Sequence, residues 1–408
     1  MDNELLARIE IAMDKAMEGF LADEDSIFNN YKEQKKLKYS VVKQFKNWKK
    51  TQTCIVRNCN NKSIERSHTI QKSSSIKEIS ENGHVLAPRF NYDTGKMEMT
   101  NLGINQASTF PGYCSEHENL FVEFENRKDF ESEEHLALQL YRTICREIVI
   151  NEYHLDKNKY LHNSYLEYRD KKIGESIIDD LGAENIQSLN FSVENFKFKS
   201  NDSKIKSLKE QRIELERYLN EFLFKMNEAV QNDIKKGKFQ KIECIPILIN
   251  FKIPVALAGR GNFYSKRTSN SKSKLIEFIF NVLPLEGKTY ILISTLKKYT
   301  IELRSYISQF KHPLQLLCLI ERWMIYGSDH WFIGPSVWNK LNTNYQSKIL
   351  ESILDDNYNI GHVCKLSIFN DIKNECLLFF EEHDKEVPDF LRSIINEEKE
   401  KITFANKS

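Results

Sequence analysis

Glycine, proline and net charge are all scarce in this 408-residue chain. Fourteen Gly and eight Pro exclude collagen-like and low-complexity architectures. Lys plus Arg number 59 against 58 acids, so the formal charge is only +1 and the total offers no argument for a polyanionic partner or a membrane surface. No apolar run approaches the roughly 18 residues that span a bilayer. Eight cysteines do not make a disulfide scaffold in a chain this long. The opening twenty residues carry acids where a signal peptide carries basic charge, and Leu5, Ile9, Met13, Ala16 and Phe20 mark one face of an amphipathic helix instead. These absences lead to the expectation of a cytoplasmic protein. What is present, 40% hydrophobic and 11% aromatic residues, suffices for packed cores, and the length suggests two to three domains.

The neutral total hides a partition. Residues 32–77 hold thirteen basic residues against Glu33 and Glu65, a local net charge of +11. Residues 1–29 hold eight acids against Arg8 and Lys15, and the stretch from Glu116 to Glu134 is acidic again. A second basic stretch, 259–274, contains Arg260, Lys266, Arg267, Lys272 and Lys274 with no acid. Backbone recognition of DNA or RNA needs several cations on one surface, and blocks of opposite sign also neutralise one another inside a fold. Phe45 and Trp48 lie among Lys43, Lys46, Lys49 and Lys50, a pattern that suits a stacking surface or the buried face of a helix.

Periodicity divides the chain into N-terminal helices over 1–50, a punctuated segment of short strands and loops over 51–130, a helical region over 131–238, and a C-terminal α+β domain over 239–408. Helical spacing is clearest at 133–170 and 203–232. The runs 242–259, 275–282 and 289–295 are rich in Ile, Val, Phe and Leu and read as strands, with Pro246 and Pro254 placing the first at an edge or interrupting it. The expected class is α+β, with a small C-terminal sheet packed with helices.

One cluster carries more chemistry than the rest. Cys54-x4-Cys59 is followed by His68 in IERSHTI and by Cys114-x2-His117 in FPGYCSEHENLF. Two close pairs of thiolate and imidazole donors make a tetrahedral Cys3His set for structural zinc: Cys54, Cys59, Cys114 and His117.

The order of these motifs resembles the treble-clef, ββα-metal module of HNH nucleases. Glu65-Arg66-Ser67-His68-Thr69-Ile70 is similar to that family's E-V-D-H-I segment, and Cys114-Ser115-Glu116-His117-Glu118-Asn119 to its second ligand pair and the start of its helix. The resemblance covers about 75 residues, 51–125. It implies that His68 is a general base toward water, and that Glu118 or Asn119 helps to hold a catalytic Mg2+ or Mn2+. Ser67 stands where the family has an Asp or His ligand, and the middle Asn is Asn101 or Asn105. Lys46, Lys49, Lys50, Arg57, Arg66 and Lys72 would engage phosphates.

Other motifs point less far. GSDHWFIGPSVW at 327–338 packs Asp329, His330, Trp331 and Trp338 together, and reads as a turn between helices whose Trp residues fill the core. His362, Cys364, Cys376 and His383 do not have the spacing of a second metal site. No P-loop and no G-x-S-x-G elbow is present. The expected function is nucleic-acid binding, with metal-dependent phosphodiester cleavage as its activity and an antiviral role in bacterial host defence by association. The alternative is a non-enzymatic regulatory protein whose zinc module shapes a surface and whose C-terminal domain binds a protein partner.

Overall fold

The computed structural model describes residues 3–22, 31–91, 93–127, 129–181, 203–265, 273–354, 364–382 and 387–407. His362, His383, Lys266, Arg267 and Lys272 lie outside the described residues. Along the chain, the helices used below are α1 (Asn3–Ala22), α2 (Tyr31–Phe45), α3 (Ser115–Glu118), α4 (Val122–Arg127), α5 (Glu133–Leu181), α6 (Ser203–Tyr218), α7 (Phe224–Lys236), α8 (Pro313–Tyr326), α9 (Thr343–Ile353), α10 (Asn370–Glu382) and α11 (Asp389–Lys407). The strands are β1 (Ser67–His68), β2 (His84–Asn91), β3 (Lys96–Gly103), β4 (Thr109–Phe110), β5 (Ile242–Ile249), β6 (Val255–Tyr264), β7 (Leu275–Leu285), β8 (Lys288–Leu296) and β9 (Trp331–Ile333). They form a mixed helix and sheet protein. Two compact units divide the chain: 1–48 with 150–221, and 49–149 with 222–408.

The first unit is helical. Ala12 and Ala16 of α1 pack with Tyr165, Ile173, Ile177 and Leu181 of α5 and Ile205 of α6. Spacings of three and four put these side chains on single helix faces. Phe45 and Trp48 resolve in favour of packing: Trp48 lies 4.3 Å from the Tyr153 ring, and Phe45 meets Tyr153 and Tyr160 edge-on.

The second unit is built on a seven-stranded antiparallel sheet in the order β3-β2-β9-β6-β7-β8-β5. Strand side chains alternate between faces. Leu257, Val282, Ile291, Ile293, Trp331 and Ile333 point to one side, against Leu316, Leu317, Ile320, Trp323 and Met324 of α8. Ala256, Ala258, Leu283, Leu292 and Phe332 point to the other, against Ile70, Ile76 and Ile79. The small side chains on this second face let residues 70–79 approach the sheet closely. Pro246 lies in β5, which is an edge strand, as its missing donor requires.

The hairpin β2–β3 belongs by sequence to the punctuated segment 51–130, yet it extends the C-terminal sheet. The connector is β9, read from sequence as a turn. Its Trp331 and the nearby Trp338 do fill the core, and the strand itself is central. The run 203–232, read as one helix, is α6 and α7 joined by a wider π-type turn at Leu219–Leu223.

The C-terminal helices are tied by charge as well as by apolar packing. Lys373 of α10 is fully buried and its ammonium ion-pairs with both Glu321 of α8 and Glu398 of α11. Glu321 also accepts from the amides of Ile368 at 2.7 Å and Phe369 at 3.0 Å. Burial pushes the Glu398 carboxyl up, but Lys373 and Lys401 outweigh it and hold it below the usual range. Its contribution is therefore present above about pH 4.3 and is lost as acid titrates the carboxylate. Replacing Lys373 by Ala leaves two buried carboxylates facing each other and is expected to cost about 3–5 kcal/mol in denaturant unfolding. A loss near zero would show that the network does not hold these helices.

Candidate metal centre

The Cys54–Cys59 segment is a tight knuckle. Thr53 and Lys62 form an isolated antiparallel bridge, the Cys54 amide donates to Asn61 O at 2.9 Å, and the Cys59 amide donates to Val56 O at 3.0 Å. Asn58 takes φ 66°, the left-handed conformation that Asn tolerates better than most residues. The second pair arrives from β4. The Ile55 amide bonds to Gly112 O and the Ile64 amide to Tyr113 O, which presses 112–114 against the knuckle. A side chain at 112 would collide with the Phe110 ring at 2.2 Å, so glycine is needed there. Cys114 then precedes α3, which carries His117.

The four donor atoms lie within 4.8 Å of one another. Cys59 Sγ and Cys114 Sγ are 3.9 Å apart, and His117 Nδ1 is 3.5 Å from Cys54 Sγ and 3.3 Å from Cys114 Sγ. A tetrahedron with Zn–S bonds of about 2.3 Å has S···S edges of about 3.8 Å. The separations therefore match a common four-coordinate centre, and all four side chains can hold one ion such as zinc. A disulfide would bring two sulfurs to about 2.05 Å, and every cysteine is free. The His117 amide, directed at Cys114, holds its thiol down to about 6, while burial pushes Cys54 up to about 11. Taking up a cation thus expels at least one proton.

His68 lies on β1, which pairs with β4 in the register His68↔Thr109. Its Nδ1 is 3.1 Å from Ala107 O, which fixes the proton on that nitrogen and leaves Nε2 as the basic atom. Burial, then Arg142 and Lys72, push its pKa down to about 4, so the ring is neutral at physiological pH. Arg142 of α5 is fully buried. It binds Glu125 at 2.8 Å and Glu118 at 3.3 Å, and it lies 4.1 Å over the Phe121 ring. Burial raises the Glu118 carboxyl, with Arg142 acting in the opposite direction. Asn119 is exposed at the end of α3.

No family model, curated protein or solved structure matches this chain.

The basic residues singled out from sequence are divided between the two units. Lys46 belongs to the first unit. Lys49, Lys50, Arg57 and Arg66 are exposed, and Lys72 donates to Asn105 Oδ1 at 3.2 Å. Arg57 lines a groove of about 750 Å³ beside His117, together with Asn58, Leu120, Phe224, Asn227 and Lys235. Sequence reasoning missed Arg142 and Glu125. The available signal was an arginine amid Leu138, Tyr141 and Cys145, where a charge on an apolar helix face requires a partner. Among the described residues, one other group has metal-ligand chemistry, Cys318 with Glu321 and Glu398, and its carboxylates are held by Lys373.

Native protein is expected to contain about one zinc per chain by elemental analysis, and Cys114→Ser to lose it. Protein purified without metal, or a variant retaining full zinc, would remove the centre.

Proposed function

We propose that this protein binds nucleic acid through a zinc-stabilised module of the HNH type, and that the module hydrolyses phosphodiesters with His68 as general base. One observation carries the reading: a neutral imidazole with its Nδ1 fixed by Ala107 O, on a short antiparallel strand pair between the two halves of a Cys3His cluster. The strand pair β1–β4 followed by α3 and α4 supports the ββα-metal comparison. Cys54, Cys59, Cys114 and His117 would hold the ion that fixes this arrangement. His68 Nε2 would take the proton of the attacking water, and Lys72 beside it would offset charge developing on the phosphate.

A second, catalytic Mg2+ or Mn2+ is not well served by these residues. Among the described residues, no three His, Cys, Asp or Glu donors converge at His68, and Glu118 is already ion-paired to Arg142. No step is assigned to such an ion.

That same ion pair favours the second reading, a non-enzymatic module that binds without cleaving. Leu378, Phe379 and Phe390 are each more than half exposed on α10 and α11, which suits a protein partner for the C-terminal region.

Plasmid and RNA cleavage by purified protein, with Mg2+, Mn2+ or chelator, separates the readings. His68→Ala is expected to lower the rate by about 10²–10⁴. Cleavage equal in both proteins would exclude His68 as the base, and no cleavage by the native chain would leave the binding role alone. Because the imidazole deprotonates at about 4, the ascending limb of kcat/KM belongs near that pH. A limb centred near the ordinary histidine value of about 6.5 would contradict the geometry.

A further inference from the structure

We propose that Lys49, Arg66, Arg89 and Arg146 form a docking site for the phosphodiester backbone of a nucleic acid, walled by the buried His330. The proposal deepens the nucleic-acid reading and rests on it. It adds two residues, Arg89 and Arg146, that come from outside the basic stretch visible in the sequence.

Strand register brings the groups together. Leu86 of β2 stands opposite Ile333 of β9. Arg89 and His330 lie three residues beyond that pair on their two antiparallel segments, and Arg89 is close enough to act on the His330 ring. Val85, Ala87 and Phe332 share one face of the sheet and one apolar cluster. The two-residue alternation places Arg89 and His330 on that same face, just past the cluster's end. Arg146 of α5 reaches the same place, with Nη2 3.9 Å from Asp329 and a side chain only 9% exposed. Lys49 and Arg66 enter from the segment that carries the metal ligands.

The charges do not cancel. Asp329, Glu65 and Glu147 are the facing acids, and Glu147 is bonded to Arg146. Lys49, Arg66 and Arg89 have no side-chain hydrogen bond to any described residue. Although its side chain reaches solvent, the protein around it partly desolvates the Lys49 ammonium, and with Arg89 and Arg66 acting against Glu65 this holds it below the ordinary lysine range. Partial desolvation and Arg146 act likewise on the exposed Arg89, against Asp329. His330 adds no charge of its own. Burial, with Arg146, Arg89 and Lys49 behind it, keeps the ring neutral, and its Nε2 lies 3.3 Å from Ser108 Oγ. Four cations face only three acids, and two of those acids are already paired to Arg146. The excess positive charge is stabilised when an anion joins it, and arginine forks suit phosphate oxygens. Three exposed cations contributed by three separate segments fit consecutive phosphates along a backbone better than one small anion.

The test is fluorescence anisotropy of labelled single-stranded and duplex DNA and of RNA, titrated with the full chain between about 50 and 200 mM salt. Arg89→Gln and Lys49→Gln are each expected to weaken binding to every sequence and to flatten the plot of log K against log salt by about 1, and the double variant by about 2. Zinc content should stay at the native level in all three, which shows that the fold is intact. Lys235→Gln, which lines the His117 groove, should keep the native slope. Variants that bind with the native slope, or a Lys235→Gln slope reduced as much as theirs, would overturn this site and leave nucleic-acid binding standing. A native chain that binds neither DNA nor RNA would overturn both.

Discussion

A three-residue strand governs the geometry of the second unit. Ile333 pairs with Leu86 on one side and Val255 on the other, so β9 joins a hairpin from the metal-bearing segment to a sheet formed more than 150 residues later. The sheet face next to 70–79 is lined with Ala87, Ala256 and Ala258, which sets how closely that segment packs. Ser108, one residue from the carbonyl that fixes His68, reaches His330 at the head of β9. The Ile70 amide donates to the same Ser108 oxygen at 2.8 Å. Strand pairing, histidine orientation and the cation cluster are thus parts of one framework.

Buried charge sets the chemistry of that framework. Arg142 neutralises Glu118 and Glu125 and, together with burial, keeps His68 unprotonated. A guanidinium with no exposed surface is tolerated only because two carboxylates and an aromatic face surround it. Lys373 has the same role among the C-terminal helices, where its partners are Glu321 and Glu398. In both places one cation binds two acids from different elements, which fixes relative position more sharply than apolar contact does.

Some of this was legible in the sequence. The four metal donors could be read because each pair is local, and two close pairs of soft ligands say what they are without knowledge of the fold. The strands β6, β7 and β8 could be read because they are long and rich in Ile, Val, Phe and Leu. The hairpin β2–β3 was not legible as part of the main sheet: Pro88 and flanking glycines resemble loop punctuation, and nothing local says where a strand pairs. β9 was hidden for a related reason. Three residues between Asp329-His330 and Gly334-Pro335 are too few for periodicity, and its central place comes from partners far along the chain. The cation cluster escaped because Arg89 and Arg146 lie outside the basic run that drew attention to Lys49 and Arg66.

The position of β9 also bears on biosynthesis. Residues 84–103 leave the ribosome long before 331–333, and the first unit's residues 150–221 are made in between. Until Ile333 emerges, β2 has β3 on one side and an open row of amides and carbonyls on the other. The growing chain must carry that unpaired edge through most of its synthesis. Nascent molecules are therefore most exposed to edge-to-edge association, or to capture by a chaperone, until the last fifth of the chain is about to appear.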